Sequence, residues 1–179
     1  DIDKIKLSKM ENGKSVNDNL ISLISKIGEK ITIRRSKFFD NTGGKNYYYI
    51  HSAVEKNVGK IVSIVKILNN KSQELGQKIA MHIAASNPLA IDETGIKKEL
   101  VDKELEIIKA ELLNSGKKGE IADKISKGKI NKYISDNTLL NQIWIMDPKK
   151  KVVDILKENK QDNEIKIVDF VRFKVGEGV

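Results

Sequence analysis

The side chains that could do chemistry are few. The chain of 179 residues has two histidines, His51 and His82, and no cysteine. A cysteine nucleophile, a disulfide framework and a thiolate zinc site are therefore closed to it. His, Asp and Glu do not recur at metal-ligand spacing, and HExxH, GxxxxGK[ST] and GxGxxG do not occur. The GEG at 176–178 is too short for a phosphate loop, and no serine stands in a nucleophile-elbow context. Acidic pairs such as Asp102 and Glu106 stand four apart among lysines, the pattern of a solvated helix surface. No catalytic residue, cofactor-binding residue or metal ligand is nominated. Enzyme activity is not expected from these residues.

The two histidines sit in different surroundings. His82, in IAMHIAASNP, borders an apolar helical face of Leu75, Ile79 and Ile83, which suggests a packed histidine hydrogen-bonded within the core. His51 closes NYYYIH (46–51), a stretch holding three of the four tyrosines. Aromatics favour a strand. The polar SAVEKN that follows puts His51 at a strand end, exposed and able to touch a partner.

Elements must position these residues. SVNDNLISLISKIG (15–28) predicts a helix, with Leu20, Leu23, Ile24 and Ile27 on one face and Gly28 as its stop. KITIRRSKFF predicts a half-buried strand, with Ile31 and Ile33 alternating with polar neighbours. DNTGG (40–44) is a turn. KIVSIVKIL (60–68) is apolar on both faces, as a central strand is. A helix follows over 72–86, capped by Ser72 and stopped before Pro88. Val101, Leu105, Ile108 and Leu112 form a coiled-coil seam within 98–113. A break at Gly116 and a second helix over about 119–134 complete an antiparallel helical hairpin, mostly wet and so projecting. NQIWIM (141–146) predicts a short strand, and Asp147–Pro148 the start of a helix running to about Asn159. In the last strand, EIKIVDFVRFKV, Ile165, Ile167, Val171, Phe173 and Val175 share one face with Asp169. Lys166, Val168, Phe170, Arg172 and Lys174 share the other. This order of elements implies an α+β fold.

The net charge of +8 raises the question of nucleic acid. Lysines, however, alternate with acids along the chain, and only PKKK (148–151) is concentrated, so a solvated surface explains them better. No apolar run approaches the roughly 20 residues that span a bilayer. The chain lacks an initiator Met, and DIDKIKLSKMENGKS has no signal-peptide core, so a fragment or processed form is expected. The absence of cysteine fits an intracellular compartment.

Five segments in order resemble elongation factor Ts, the nucleotide exchange factor of bacterial-type translation. They are KIGEKITIRR (26–35), YYIH (48–51), IAMHIAASNP (79–88), GKKGEIADKISKGKINKYISDNTLLNQIWIMDP (116–148) and FVRFKVGEG (170–178). The resemblance implies two core subdomains, each an antiparallel sheet packed on helices, plus the projecting hairpin. Residues 1–44 would be the remainder of the N-terminal core subdomain. Residues 45–97 and 138–179 would form the C-terminal core subdomain, and 98–137 the inserted hairpin. It implies binding to elongation factor Tu, GDP-bound and nucleotide-free, to promote GDP release in the cytoplasm or an organelle, with no cofactor. It also allows a homodimer.

Motif by motif, the resemblance carries over five partner-binding residues. Ile27 and Gly28 match a pair facing the partner's GTP-binding domain. Read structurally, they would be a core residue and a helix stop. His51 matches a histidine on the partner's third domain, as do Ile145 and Met146 for an apolar pair there. The family's N-terminal helical module, its TDFV segment and its C-terminal helical module have no counterpart here, so weakened binding and exchange are expected. Two other readings are a basic RNA- or ribosome-associated module and a dimerisation domain without exchange activity.

Overall fold

The computed structural model describes residues 1–178. It comprises two compact units, Asp1–Asp40 and Asn41–Val179.

In the first unit, helix α1 (Ile2–Leu7) precedes α2 (Val16–Ile27). The sequence sets both ends of α2. The Ser15 hydroxyl accepts from the Asp18 amide at 3.0 Å, and the Asp18 carboxylate accepts from the Ser15 amide at 3.3 Å. This reciprocal cap satisfies two otherwise orphaned groups. The Ser15 hydroxyl lies 2.6 Å from the Asp18 carboxylate, and its bond, followed by that of the Ser15 amide, lowers the Asp18 pKa. Gly28 takes φ +74°, a left-handed conformation that suits glycine. The strand expected at KITIRR does not form. Ile31 and Ile33 are half-buried and Thr32 and Arg34 exposed, so the alternation is present. A strand also needs a ladder partner, and the described residues of this unit contain no second strand. Of the two sheets expected, the described residues therefore hold one.

That sheet lies in the second unit and confirms the α+β class. Strands β1 (Lys45–Glu55), β2 (Val58–Leu68) and β3 (Lys166–Lys174) pair antiparallel in the order β1-β2-β3. β2 is central, as its doubly apolar sequence requires. Helix α3 (Gln73–Ser86), capped by Ser72, covers one face. Tyr47, Val65, Ile67, Ile79, Ile83, Leu139, Trp144 and Val152 form the core. Gly76 exists for this packing: a Cβ there would lie 2.1 Å from the Tyr47 ring. The Tyr47 hydroxyl donates to the Asn70 carbonyl at 3.0 Å, so its one polar atom is satisfied on burial.

Helices α4 (Lys98–Asn114) and α5 (Gly119–Asn137) occupy the expected hairpin segment. Ile108 and Leu112 are buried, and Lys129 of α5 pairs with Glu111 of α4 at 2.6 Å. The ends of this excursion are laced together. Leu89 donates to the Asn137 carbonyl, and Leu139 to that of Ala90, both at 2.9 Å.

Three further expectations are corrected. NQIWIM is not a strand: only Ile143 bridges, to Lys151, and 144–147 is a turn. The following helix, α6 (Val152–Glu158), starts later than Asp147–Pro148 suggested. The Asp147 carboxylate instead accepts from the Lys149 amide, and Asp154 supplies the cap by accepting from the Lys151 amide at 2.9 Å. Finally, β3 does not alternate throughout. Asp169 pairs with Lys66 and Ile167 with Ile67, which leaves Val168 as a bulge. An extra residue reverses the facing of all that follow. Ile167, Phe170 and Arg172 thus face the same side, and Val171 and Phe173 the other.

Candidate functional site

The nominated residues occupy three places. Ile145 and Met146 are the central residues of a β-turn closed by the Asp147 amide on the Trp144 carbonyl at 3.2 Å. They are 42% and 40% exposed, while Trp144 beside them is buried. A second bond, from the Trp144 amide to the Lys150 carbonyl at 2.8 Å, closes the loop behind the turn. Two apolar side chains thus stand out from a hydrogen-bonded base. Of the two, the unbranched methionine is the more adaptable in shape.

His82 lies under that base. It is fully buried on α3, with its ring stacked on Trp144 at a centroid distance of 5.2 Å. Its Nε2 lies 3.0 Å from Gln142 Oε1, and its Nδ1 accepts the Ile145 amide at 3.4 Å. The Gln142 amide nitrogen donates to the carbonyls of Asp136, at 2.8 Å, and Ser86, at 3.2 Å. Burial holds the His82 pKa below the usual imidazole range, and the Gln142 bond opposes this only in part. The expectation of a hydrogen-bonded core histidine holds.

His51 is not at a strand end, because β1 continues to Glu55. It is nonetheless exposed. Through its pairing with Ile61 it lies on the same sheet face as Tyr47 and Tyr49. α3 crosses that face diagonally: Gly76 meets Tyr47 of β1, the Ala80 carbonyl accepts from Ser63 of β2, and the Ala84 carbonyl accepts from Arg172 of β3. The diagonal leaves the His51 corner open. The Tyr49 hydroxyl meets His51 Nδ1 at 3.2 Å, which orients the ring. Of the three tyrosines, Tyr47 is buried, Tyr49 half-buried and Tyr48 exposed on the opposite face.

Ile27 and Gly28 end α2 in the first unit. Ile27 is 49% exposed, so it is not a core residue. A Cβ at Gly28 would meet nothing within 4 Å, so within this chain its positive φ, rather than packing, accounts for the glycine. The sequence did not single out Gln142 or Trp144. Their signal is long-range, since His82 lies 60 residues before Gln142, and no local pattern encodes it. Among the described residues no group of three or more His, Cys, Asp or Glu side chains could hold a metal ion, and no helix is long and apolar enough to cross a membrane.

This α+β frame holds two apolar side chains out on a hydrogen-bonded turn. The family model described as Elongation factor TS matches residues 1–177. The chain is 36% identical to the Elongation factor Ts of Rickettsia akari (strain Hartford) over 185 aligned residues, covering 99% of this chain and 60% of that protein. Those of Rickettsia prowazekii (strain Madrid E) and Rickettsia typhi (strain ATCC VR-144 / Wilmington) are each 35% identical with the same coverage. This chain belongs to the elongation factor Ts family, a family of translation elongation factors, and spans about 60% of the length of these relatives.

Proposed function

We propose that this chain binds elongation factor Tu and promotes release of its GDP, with no covalent bond made or broken. The observation that carries this reading is the exposed Ile145–Met146 pair on a hydrogen-bonded turn, in a chain of this family. Ile145, Met146 and His51 would dock on the third domain of elongation factor Tu. Ile27 and Gly28 would face its GTP-binding domain, where a glycine lets backbones approach closely. Residues 98–137, the α4–α5 pair, would reach toward that same domain as an antiparallel arm inserted into a core of 45–97 and 138–179. Residues 1–44 would belong to the other subdomain. The work would be done where translation occurs, in a bacterial-type cytoplasm or an organelle.

The energetics would be those of linked binding. The factor favours the state of its partner that holds GDP poorly, so each ligand weakens the other by the same factor. Exchange of this kind needs surfaces and no reactive group. The direct test of the docking residues is a titration of elongation factor Tu with the chain carrying His51→Ala and Met146→Ala. Both side chains are exposed, so folding is expected to be intact, while affinity falls by about tenfold or more. Unchanged affinity would remove both residues from the contact surface.

A further inference from the structure

His82 and Gln142 are buried polar groups, and the orientation of each can be deduced from its neighbours. The Gln142 amide nitrogen faces two carbonyl oxygens, those of Asp136 and Ser86. Carbonyls only accept, so this end of the amide is the donor end, and Oε1 faces His82. Oε1 only accepts, so His82 Nε2 carries a proton. From the other side, the Ile145 backbone amide only donates, so His82 Nδ1 is bare. The two deductions start from different atoms and give the same tautomer. The result is a one-way chain of donors from the Ile145 amide through His82 and Gln142 to the end of α5 at Asp136.

We infer that His82 is a positioning residue for partner docking: its bare Nδ1 accepts the Ile145 amide and so fixes the turn that displays Ile145 and Met146. The inference rests on the docking role given to that turn above. Trp144, stacked on the imidazole, sets the ring plane, and Gln142 sets the tautomer. A proton on Nδ1 would point one donor at another and release the turn. Burial, which keeps the ring neutral, agrees with this.

Two substitutions separate the bonds. His82→Asn retains an oxygen near the position of Nδ1 and loses reach to Gln142. His82→Gln retains reach to Gln142 and loses the acceptor under Ile145. Both remove the ring stacked on Trp144, so general destabilisation affects them alike. The expected result is Ile145 amide exchange, referenced to the global unfolding of each variant, about tenfold faster in His82→Gln than in His82→Asn. The affinity for elongation factor Tu is expected to follow the same order. Equal Ile145 exchange in the two variants overturns the inference. Faster exchange with equal affinity overturns the docking role of the turn instead. A third measurement needs no variant: nitrogen-15 NMR of the native imidazole should show a protonated Nε2 and a bare Nδ1. A proton on Nδ1 in the folded chain overturns the inference outright.

Discussion

Replacing Gly76 with alanine tests how α3 seats on the sheet. An ideal Cβ at this position would stand 2.1, 2.3 and 2.4 Å from Cδ1, Cγ and Cε1 of Tyr47. Carbon atoms in contact settle at about 3.5–4.0 Å, so helix and ring must part by roughly 1.4 Å or more. Neither yields easily. Tyr47 is pinned by its pairing with Val65 and by its bond to the Asn70 carbonyl, while α3 is held at Ala80 by Ser63 and at Ala84 by Arg172. Overpacking costs about 1–3 kcal/mol, and so deep a clash belongs near the upper figure. Alanine recovers about 1 kcal/mol of helix propensity. The net loss is then about 2 kcal/mol, or about 4–8 °C in Tm for a chain of this size. Trp144 is the only tryptophan and is buried in the same core, so its fluorescence during urea unfolding reports on this unit. Combining Gly76→Ala with Tyr47→Ala should remove the clash, making the double variant more stable than the sum of the two losses by about 3 kcal/mol. An unchanged or raised midpoint for Gly76→Ala would mean that Tyr47 and α3 do not meet as closely as this packing requires.

Two other predictions concern polar groups within the second unit. Folding keeps His82 neutral and its pKa below the ordinary 6.5. Its contribution to stability is therefore complete above about pH 6.5 and declines as pH falls from there toward the folded value, by at most about 1.4 kcal/mol per pH unit. Urea midpoints measured between pH 8 and pH 5 should show this decline, and the His82→Asn chain should lack it. Arg172 Nε donates to the Ala84 carbonyl at 2.9 Å, in the last turn of α3, and its Nη1 meets Glu177 at 2.8 Å. Arg172→Ala should destabilise the second unit by about 1–3 kcal/mol through the unpaired carbonyl, read as a lower urea midpoint by Trp144 fluorescence.

Local signals made much of this fold legible. Ser15 and Gly28 bound α2, Ser72 and Pro88 bound α3, and the doubly apolar KIVSIVKIL marks the central strand. What failed to show depends on distant partners. Ile31 and Ile33 alternate as a strand does, yet no partner strand is present among the described residues of their unit. NQIWIM has the β-branched and aromatic residues of a strand, but His82 bonds the Ile145 amide from 63 residues away and Lys150 closes the loop, so the segment turns. In β3 the apolar–polar alternation breaks where Ile167 and Val168 stand side by side and Asp169 falls on the apolar face, but only the pairing with β2 shows that the break is a bulge. Asp147–Pro148 has the chemistry of a helix start, but Asp147 spends its carboxylate on a local turn. Of the site, exposure at His51, Ile145 and Met146 agrees with the sequence reading, although His51 sits within a longer strand. The polar scaffold of His82 and Gln142 was hidden because it joins residues far apart in the chain.

The proposed activity of this chain is to speed the loss of GDP from elongation factor Tu. The most direct measurement is stopped-flow release of fluorescently labelled GDP from elongation factor Tu at increasing concentrations of this chain, with excess unlabelled GDP as the trap. The release rate should rise with the concentration of the chain and fall back when Ile145 and Met146 are both replaced by alanine. A rate that stays at the intrinsic value at concentrations well above the dissociation constant for elongation factor Tu would contradict it.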